Sequence, residues 1–163
     1  MKPIFISGSS SIHELNEDMI KNLDEIIKRN IPVIIGDCYG IDSLVQRYFH
    51  ECNYNNVTVY YVGSFPRCHF LEFKKRDCND KVTNETGRAF YEIKDIKMTE
   101  DCAGALMFWD EKSQGTKNNI ERLAVLHFLS LHRNHTADGC FHQANRFVKL
   151  LALFLGQLLL DHT

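Results

Sequence analysis

The chain has 163 residues, a formal net charge of −2 at pH 7 and a hydrophobic fraction of 44%. This length is sufficient to bury one core without disulfides or metals, and the charge provides no global basic field for a nucleic-acid partner. Six cysteines without a C-x-x-C pair favour free thiols in a reducing cytoplasm over a disulfide framework.

The first segment has a strand–loop–helix pattern. The apolar run Ile4–Ile6 predicts a short buried strand, the small residues Ser7–Ser11 predict a loop, and the apolar spacing within Glu14–Lys28 predicts a helix. Because charged residues interrupt this segment early, we expect no signal peptide and a cytoplasmic protein.

The same pattern then repeats. Pro32–Ile35 predicts a second buried strand, Gly36–Gly40 a glycine-rich turn, and Ile41–Phe49 a helix. Val57–Val62 is rich in β-branched and aromatic residues and predicts a third strand. This alternation of strands and helices is typical of a parallel sheet with helices on both faces.

The segment Ser64–Gly87 interrupts the alternation and is rich in charged and aromatic residues. It is too long for a simple connection, which leaves two interpretations, a solvated insertion or a lid over a site. Its basic residues either bring positive charge to a bound phosphate or form a solvated face. These residues are Arg67, Lys74, Lys75 and Arg76.

The most informative segment follows. Ala103–Phe108 predicts a buried strand, Trp109–Thr116 a tight loop, and Asn118–Leu131 an amphipathic helix. A loop at the start of a helix presents free N–H groups at the positive end of the helix dipole, and Gly115 allows a ligand to approach the backbone. The loop is therefore a candidate phosphate cradle. The alternative is that Ser113 or Thr116 only caps the helix.

The C-terminal part differs in composition. Phe147–Leu160 is apolar on nearly all sides and predicts a buried helix that packs on the domain or on a second copy, so we expect a homo-oligomer. We divide the chain into a ligand-binding domain, 1–131, and a C-terminal helical extension, 132–163. The apolar segment is too short to span a bilayer, and the histidines and cysteine in His132–His142 fit no established zinc pattern. We therefore expect no membrane association and no metal.

These elements together predict an α/β fold with a Rossmann-like, doubly wound and mainly parallel sheet, helices on both faces, and a C-terminal apolar helix. In such sheets the loops after the carboxyl ends of the strands lie on one edge and bind ligands there. We expect the loops at 7–11, 36–42 and 110–116 to form one cleft. The candidate ligand-binding residues are Gly8, Ser9, Ser10, Gly36, Asp37, Gly40, Asp42, Arg76, Asp110, Lys112, Ser113, Gly115 and Thr116.

Four side chains near these loops are candidate ligand contacts, and two of them also have a purely structural interpretation. Asp37 and Asp42 flank the glycine-rich turn, where one of them would accept hydrogen bonds from a ribose, or Asp42 would only start the following helix. Tyr39 and Trp109 present flat rings that stack on a base, whereas Trp109 at the end of a strand also fits a place in the core.

Three motifs carry a resemblance to a known superfamily. They are the Gly/Ser loop at Ser7–Ser11, G-x-x-x-G-x-D at Gly36–Asp42, and W-D-x-x-S-x-G-T at Trp109–Thr116, preceded by Asp95–Met98. They resemble the SLOG superfamily, named for the Smf/DprA DNA-processing proteins and the LOG phosphoribohydrolases, and within it the YspA-like stand-alone domains. The resemblance covers roughly residues 3–125 and implies a Rossmann-like fold that binds nucleotides or nucleotide derivatives.

The chain departs from the family pattern at three positions. LOG-type hydrolases carry a glutamate where this chain has Asn119 and a glycine where it has Ser113. Glu111 replaces a glycine that is frequent after W-D in the nearest relatives. An amide is unable to stabilise an oxocarbenium ion by charge. We therefore predict a module that binds or senses a phosphate-bearing nucleotide or nucleotide-derived small molecule, with no further cofactor.

Two alternatives stay open. The first is a nucleotide N-glycoside hydrolase or transferase, similar to LOG enzymes or deoxyribosyltransferases, with a carboxylate supplied by Asp37, Asp42 or Glu111. The second is a protein-interaction module in which the terminal apolar helix forms the working surface.

Overall fold

The structure is a computed structural model that describes residues 1–79 and 85–133, with residues 126–133 described by their backbone alone. Five parallel strands form one sheet in the order β4-β3-β2-β1-β5. Ile4 is paired with Val33 on one side and with Gly104 on the other, so β1 lies between β2 and β5. The strands are β1 (Ile4–Gly8), β2 (Val33–Ile35), β3 (Val57–Tyr61), β4 (Lys74–Asp77) and β5 (Gly104–Phe108).

Two helices cover each face of the sheet. Alternate residues along β1 point to opposite faces, so that Ile6 packs in the core with α1 and α2 while Phe5 packs in the core with α3 and α4. The helices are α1 (Glu17–Lys28), α2 (Ile41–Glu51), α3 (Gly87–Asp101) and α4 (Gln114–Arg133). The predicted α/β fold, with a parallel sheet and helices on both faces, is confirmed.

The ends of two helices differ from the prediction. Helix α1 begins at Glu17 because the Asn16 side chain accepts the N–H of Met19 at 2.9 Å, which caps the helix three residues later than predicted. Helix α4 begins at Gln114, four residues earlier than predicted, so Gly115 and Thr116 belong to its first turn.

The long segment Ser64–Gly87 is not a simple loop. It contains β4, an edge strand of four exposed residues that pair with β3, from Thr58 with Lys74 to Tyr61 with Asp77. A charged edge strand prevents pairing with other chains, and it has no apolar alternation by which the sequence would reveal it. Helix α3, which follows, was likewise not predicted.

The predicted C-terminal helix at Phe147–Leu160 lies outside the described residues, and the predicted boundary at 131 falls within α4. Within the described ranges, no helix combines the length and the apolar character that crossing a bilayer requires.

We expect alanine substitutions at Gly8 and Gly115, two glycines of the predicted cleft, to have opposite effects on stability. A β-carbon at Gly8 would lie 2.4 Å from Phe108 O and 2.6 Å from Ile41 Cγ1, so β1 would have to move away from β5 and α2. We expect Gly8→Ala to lower the free energy of unfolding by about 2 kcal/mol or more.

The matched control is Gly115→Ala. Among the residues that the structure describes, its β-carbon would meet only the end of the Arg88 side chain, at 3.3 Å. Alanine is also the better helix former by up to about 1 kcal/mol. Urea denaturation should therefore show unchanged or increased stability for Gly115→Ala. Equal losses in the two variants would contradict the close packing of β1 against β5.

Candidate functional site

The candidate cleft lies at β1, where the order in which successive strands join the sheet reverses. The chain passes from β1 to β2 on one side and returns with β5 on the other side of β1, so the loops after β1 and β5 leave neighbouring strands. In open parallel sheets, this switch point opens a crevice at the carboxyl ends of the strands. The loops at 9–16 and 109–113 border it, and the turn at 36–40 adjoins the first of these.

Ser9 joins the three loops of the predicted cleft. Its N–H donates to Phe108 O at 2.9 Å, and its carbonyl accepts the N–H of Ile41 at 3.4 Å. Its buried hydroxyl donates to Asp110 Oδ1 at 2.7 Å and accepts the N–H of Asp110 at 3.1 Å. Gly40 completes the junction, since a β-carbon there would lie 2.4 Å from Ser10 Cα. The structure therefore brings Gly8, Ser9, Ser10, Gly40 and Asp110 together as predicted.

Asp110 acts as an anion built into the last loop. Its carboxylate accepts hydrogen bonds from the Ser11 hydroxyl, from the N–H groups of Ser113 at 2.8 Å and Lys112 at 2.9 Å, and from Ser9. The Ser11 hydroxyl, followed by Ser113 and Ser9, holds the pKa of Asp110 well below its usual range. Asp110 therefore stays ionised and holds the loop, and any contact of its carboxylate with a ligand stays a prediction.

In the predicted phosphate cradle, the Ser113 hydroxyl caps the helix and the Thr116 hydroxyl donates to it. Ser113 Oγ accepts the N–H of Thr116 at 3.4 Å and the Thr116 hydroxyl at 3.1 Å, and Thr116 is buried. The N–H groups of Gln114 and Gly115 remain, and no acceptor within the described ranges binds them. Because Thr116 is buried, the cradle offers these backbone N–H groups and the half-buried Ser113 hydroxyl.

Sequence reasoning missed the arginine beside this helix end. Arg88, exposed near the start of α3, places Nη2 3.3 Å from where a β-carbon of Gly115 would be. Within the described ranges its guanidinium forms no ion pair or hydrogen bond. No signal in the sequence pointed to Arg88, because α3 itself was not predicted.

Arg76 does not occupy the place that was predicted for it. It lies exposed on the edge strand β4, three strands from β1, which corresponds to about 14 Å at the usual strand spacing. It is therefore not beside the loop at 109–113, and Arg88 supplies the nearby positive charge instead.

A second polar centre is buried at the end of β2. The ammonium of Lys94, only 2% exposed, lies 2.7 Å from Asp95 Oδ1 and 3.9 Å from Asp37 Oδ1. Gly36 is required here, since a β-carbon would lie 2.4 Å from Asp42 Oδ2 and 2.8 Å from Lys94 Nζ. Gly36, Asp37 and Asp42 thus come together as predicted, around a lysine that the sequence did not reveal.

Burial and charge shift the acid–base properties of this centre. Burial disfavours the ionised form of Asp37, but hydrogen bonds from Arg67 and the charge of Lys94 hold its pKa below the ordinary value. Burial acts likewise against the ammonium of Lys94, but the charges of Asp95 and Asp42 raise its pKa. For Asp42 burial dominates and raises the pKa to about 7.

Arg67 attaches the long segment to this centre. Its Nη2 donates to Asp37 Oδ1 at 2.8 Å, and its Nε and backbone N–H donate to Asp37 Oδ2 at 3.1 and 3.0 Å. The guanidinium also lies over the ring of Tyr91, 4.2 Å from its centroid. The first part of the segment is thus fixed against the sheet edge in this structure.

The aromatic candidates differ in their surroundings. Trp109 is half-buried and its indole N–H donates to Ser113 O at 3.0 Å, so it supports the loop. Tyr39 is 71% exposed beside the cleft and leaves its ring free to stack on a planar ligand.

Asn119 does not face the candidate cleft as an open polar group. It is 1% exposed, and its side-chain oxygen accepts a hydrogen bond from Arg122 at 2.7 Å. Arg122 in turn pairs with Glu92 at 3.0 Å, which ties this part of α4 to α3.

Comparison of the chain with protein-family models, with curated proteins and with solved structures finds no match. The resemblance based on the three motifs therefore stays a prediction, and function is argued from the geometry.

The central role of Ser9 predicts a large effect for a small change. Ser9→Ala removes a buried hydroxyl that both donates to and accepts from Asp110, so we expect a loss of about 1–3 kcal/mol in the free energy of unfolding. The control is Ser10→Ala, an exposed position for which we expect a change within about 0.5 kcal/mol. Equal effects in thermal denaturation would show that the Ser9 hydroxyl does not hold the loops.

The backbone of Glu111 predicts a stabilising substitution. Glu111 has a φ of 64°, a left-handed conformation that costs a residue with a side chain about 1–2 kcal/mol. We expect Glu111→Gly to raise the stability by about 0.5–1 kcal/mol after the entropy of glycine in the unfolded chain is subtracted.

Glu111→Ala separates the contribution of conformation from that of charge. It removes the same carboxylate but retains a β-carbon in the left-handed region, so it should give no gain in melting temperature. A gain in both variants would assign the effect to the charge.

Proposed function

We propose that the protein binds a phosphate-bearing nucleotide, or a small molecule derived from one, in the crevice beside the first turn of α4. The observation that carries the proposal is the guanidinium of Arg88 beside Gly115, where the backbone N–H groups of Gln114 and Gly115 are free within the described ranges. A cation at the positive end of a helix is unfavourable until an anion binds between them.

From this phosphate position, the nucleoside part of the ligand would extend across the β1 loop towards Tyr39. The turn at 36–40 packs directly on Ser10, so a ligand that crosses the β1 loop reaches Tyr39 and its exposed ring. A base stacked on Tyr39 would account for a large aromatic side chain that is 71% exposed at this edge. This arrangement supports a nucleotide over inorganic phosphate alone.

Binding without base release is the preferred form of the proposal. The helix position that carries a glutamate in LOG-type enzymes holds Asn119, which is buried and bonded to Arg122. Asp37 is paired with Arg67, and Asp42 is 3% exposed, so neither carboxylate is presented to a ligand in this structure. The third candidate, Glu111, is exposed and lies in the loop before α4, on the side of the proposed phosphate. Departure of a base would need a carboxylate near the sugar.

The wider setting of this proposal is a cytoplasmic homo-oligomer. The cysteines without a paired spacing favour a reducing compartment, and the apolar segment Phe147–Leu160 favours burial against a second copy. A formal charge of −2 gives no global basic field that would attract a nucleic acid.

The test compares ligands that share a base but differ in phosphate. AMP, GMP and CMP should raise the melting temperature more than adenosine, guanosine and cytidine at equal concentration, because only the monophosphates bring an anion. Equal shifts would exclude a phosphate site. Chromatography of the same mixtures should show no free base, and base in excess of protein would instead support the hydrolase.

Two variants locate the site. Gly115→Val should fold, since the space beyond Gly115 holds only Arg88, but it should remove most of the affinity by blocking the backbone. Arg88→Ala should weaken binding about tenfold, as expected for one charge-assisted hydrogen bond. Arg29→Ala, an exposed arginine at the end of α1, is the control and should bind normally. Unchanged affinity in Gly115→Val would place the ligand elsewhere.

A further inference from the structure

Two buried hydrogen-bond acceptors on α2 have no donor. Asp42 Oδ1 and Gln46 Oε1 are both inaccessible to solvent, and neither makes a hydrogen bond to any residue among 1–79 and 85–133. The two residues are four apart on the helix and therefore lie on the same face, with side chains that are able to meet. Buried acceptors are almost always hydrogen-bonded, and one proton shared by these two side chains would satisfy both.

The other polar atoms of the two side chains are occupied, which fixes their orientation. Asp42 Oδ2 accepts the N–H of Cys38 at 3.2 Å, and Gln46 Nε2 donates to Gly36 O at 2.8 Å and to Cys68 O at 3.3 Å. Rotating the Gln46 amide to offer its nitrogen to Asp42 would leave the carbonyls of Gly36 and Cys68 facing the amide oxygen. The missing hydrogen must therefore come from Asp42.

The positive and negative charges around Asp42 cancel when Asp42 itself is left out of the count. Two cations lie nearby, Arg67 in the segment after β3 and Lys94 on α3. Arg67 forms an ion pair with Asp37, and Lys94 forms ion pairs with Asp95 and Asp37. Within the described ranges, neither cation forms an ion pair with Asp42. An ionised Asp42, 3% exposed, would thus be a surplus negative charge in the interior, which is costly.

The thiols that face Asp42 do not change this balance. Burial raises the pKa of Cys38, in the turn after β2, and of Cys68, in the segment that covers α2. Both are therefore neutral at pH 7.

We propose that Asp42 is a neutral carboxylic acid in the folded protein, and that its Oδ1–H donates to Gln46 Oε1 at a buried proton-binding site. A single proton on Asp42 gives both orphaned acceptors a partner and leaves the cluster electrically balanced. The raised pKa of Asp42, about 7, corresponds to proton binding that is roughly a thousandfold tighter than in the unfolded chain.

The consequence is a pH-dependent stability of defined sign. Between pH 4 and pH 7 the folded protein retains a proton that the unfolded chain has released, so this site loses stability as the pH rises through that window. Above pH 7 both states are deprotonated and the contribution is constant.

The experiment compares Asp42→Asn with Asp95→Asn in urea denaturation of the full chain at pH 5 and pH 8. The amide that Asp42→Asn introduces donates to Gln46 at every pH, so this variant should unfold at a higher urea concentration than the wild type at pH 8 and lose that advantage at pH 5. Asp95→Asn is the same chemical change on the ion-pair partner of Lys94, so it should be destabilised at both pH values. Destabilisation by Asp42→Asn at pH 8 would overturn the proposal.

A second measurement does not depend on a variant that folds. Carbon-13 NMR of the wild-type protein with labelled aspartate carboxyls should show one carboxyl that titrates near neutral pH. Titration of every aspartate below pH 5 would show that Asp42 is ionised, and the proposal would be wrong.

Discussion

The buried ammonium of Lys94 is the constraint from which the arrangement at the end of β2 follows. A charge that is 2% exposed persists only with carboxylates around it, and Asp95 and Asp37 provide them from its own helix and from the β2 turn. This pairing fixes α3 against the sheet edge. It also demands a glycine at position 36, where any side chain would displace Asp42 or Lys94.

The same charge organises the segment above it. Asp37 lies between Lys94 and Arg67, and Arg67 bonds to it through both the guanidinium and the backbone. The segment that follows β3 is thereby held over the edge of the sheet by a carboxylate that the core already requires. Removing Lys94 would leave Asp37 and Asp95 with less compensation, so its loss would reach the loop as well as the core.

The sequence predicted the parts of the fold that carry an apolar pattern. Buried parallel strands are continuous apolar runs, and such runs placed three segments in the sheet, Ile4–Ile6, Pro32–Ile35 and Ala103–Phe108. Strand β4 and helix α3 were not predicted. Strand β4 consists of charged residues, and α3 lacks a clear apolar face because polar residues stand among those that it buries. Because α3 was not predicted, the two site residues that lie on it, Lys94 and Arg88, were not predicted either.

The convergence of the loops was also predictable, but their internal bonding was not. That the loops after β1, β2 and β5 meet follows from the parallel topology. Capping of α4 by Ser113 was one of the two interpretations of this loop, and the sequence did not decide between them. That Asp110 takes the donors of its own loop depends on rotamers that no spacing of residues specifies.

This internal anion limits what a ligand is able to use. Asp110 takes the N–H groups of Lys112 and Ser113, so the proposed phosphate would lie at the next N–H groups, those of Gln114 and Gly115. There the negative charges of Asp110 and the exposed Glu111 oppose it, while Arg88 and the helix dipole attract it. Since the attraction of a surface charge is weakened by salt, the affinity of such a site must depend on direct hydrogen bonds from the backbone and Arg88. A nucleotide held in this way would owe its affinity to contact geometry rather than to the overall field of the protein.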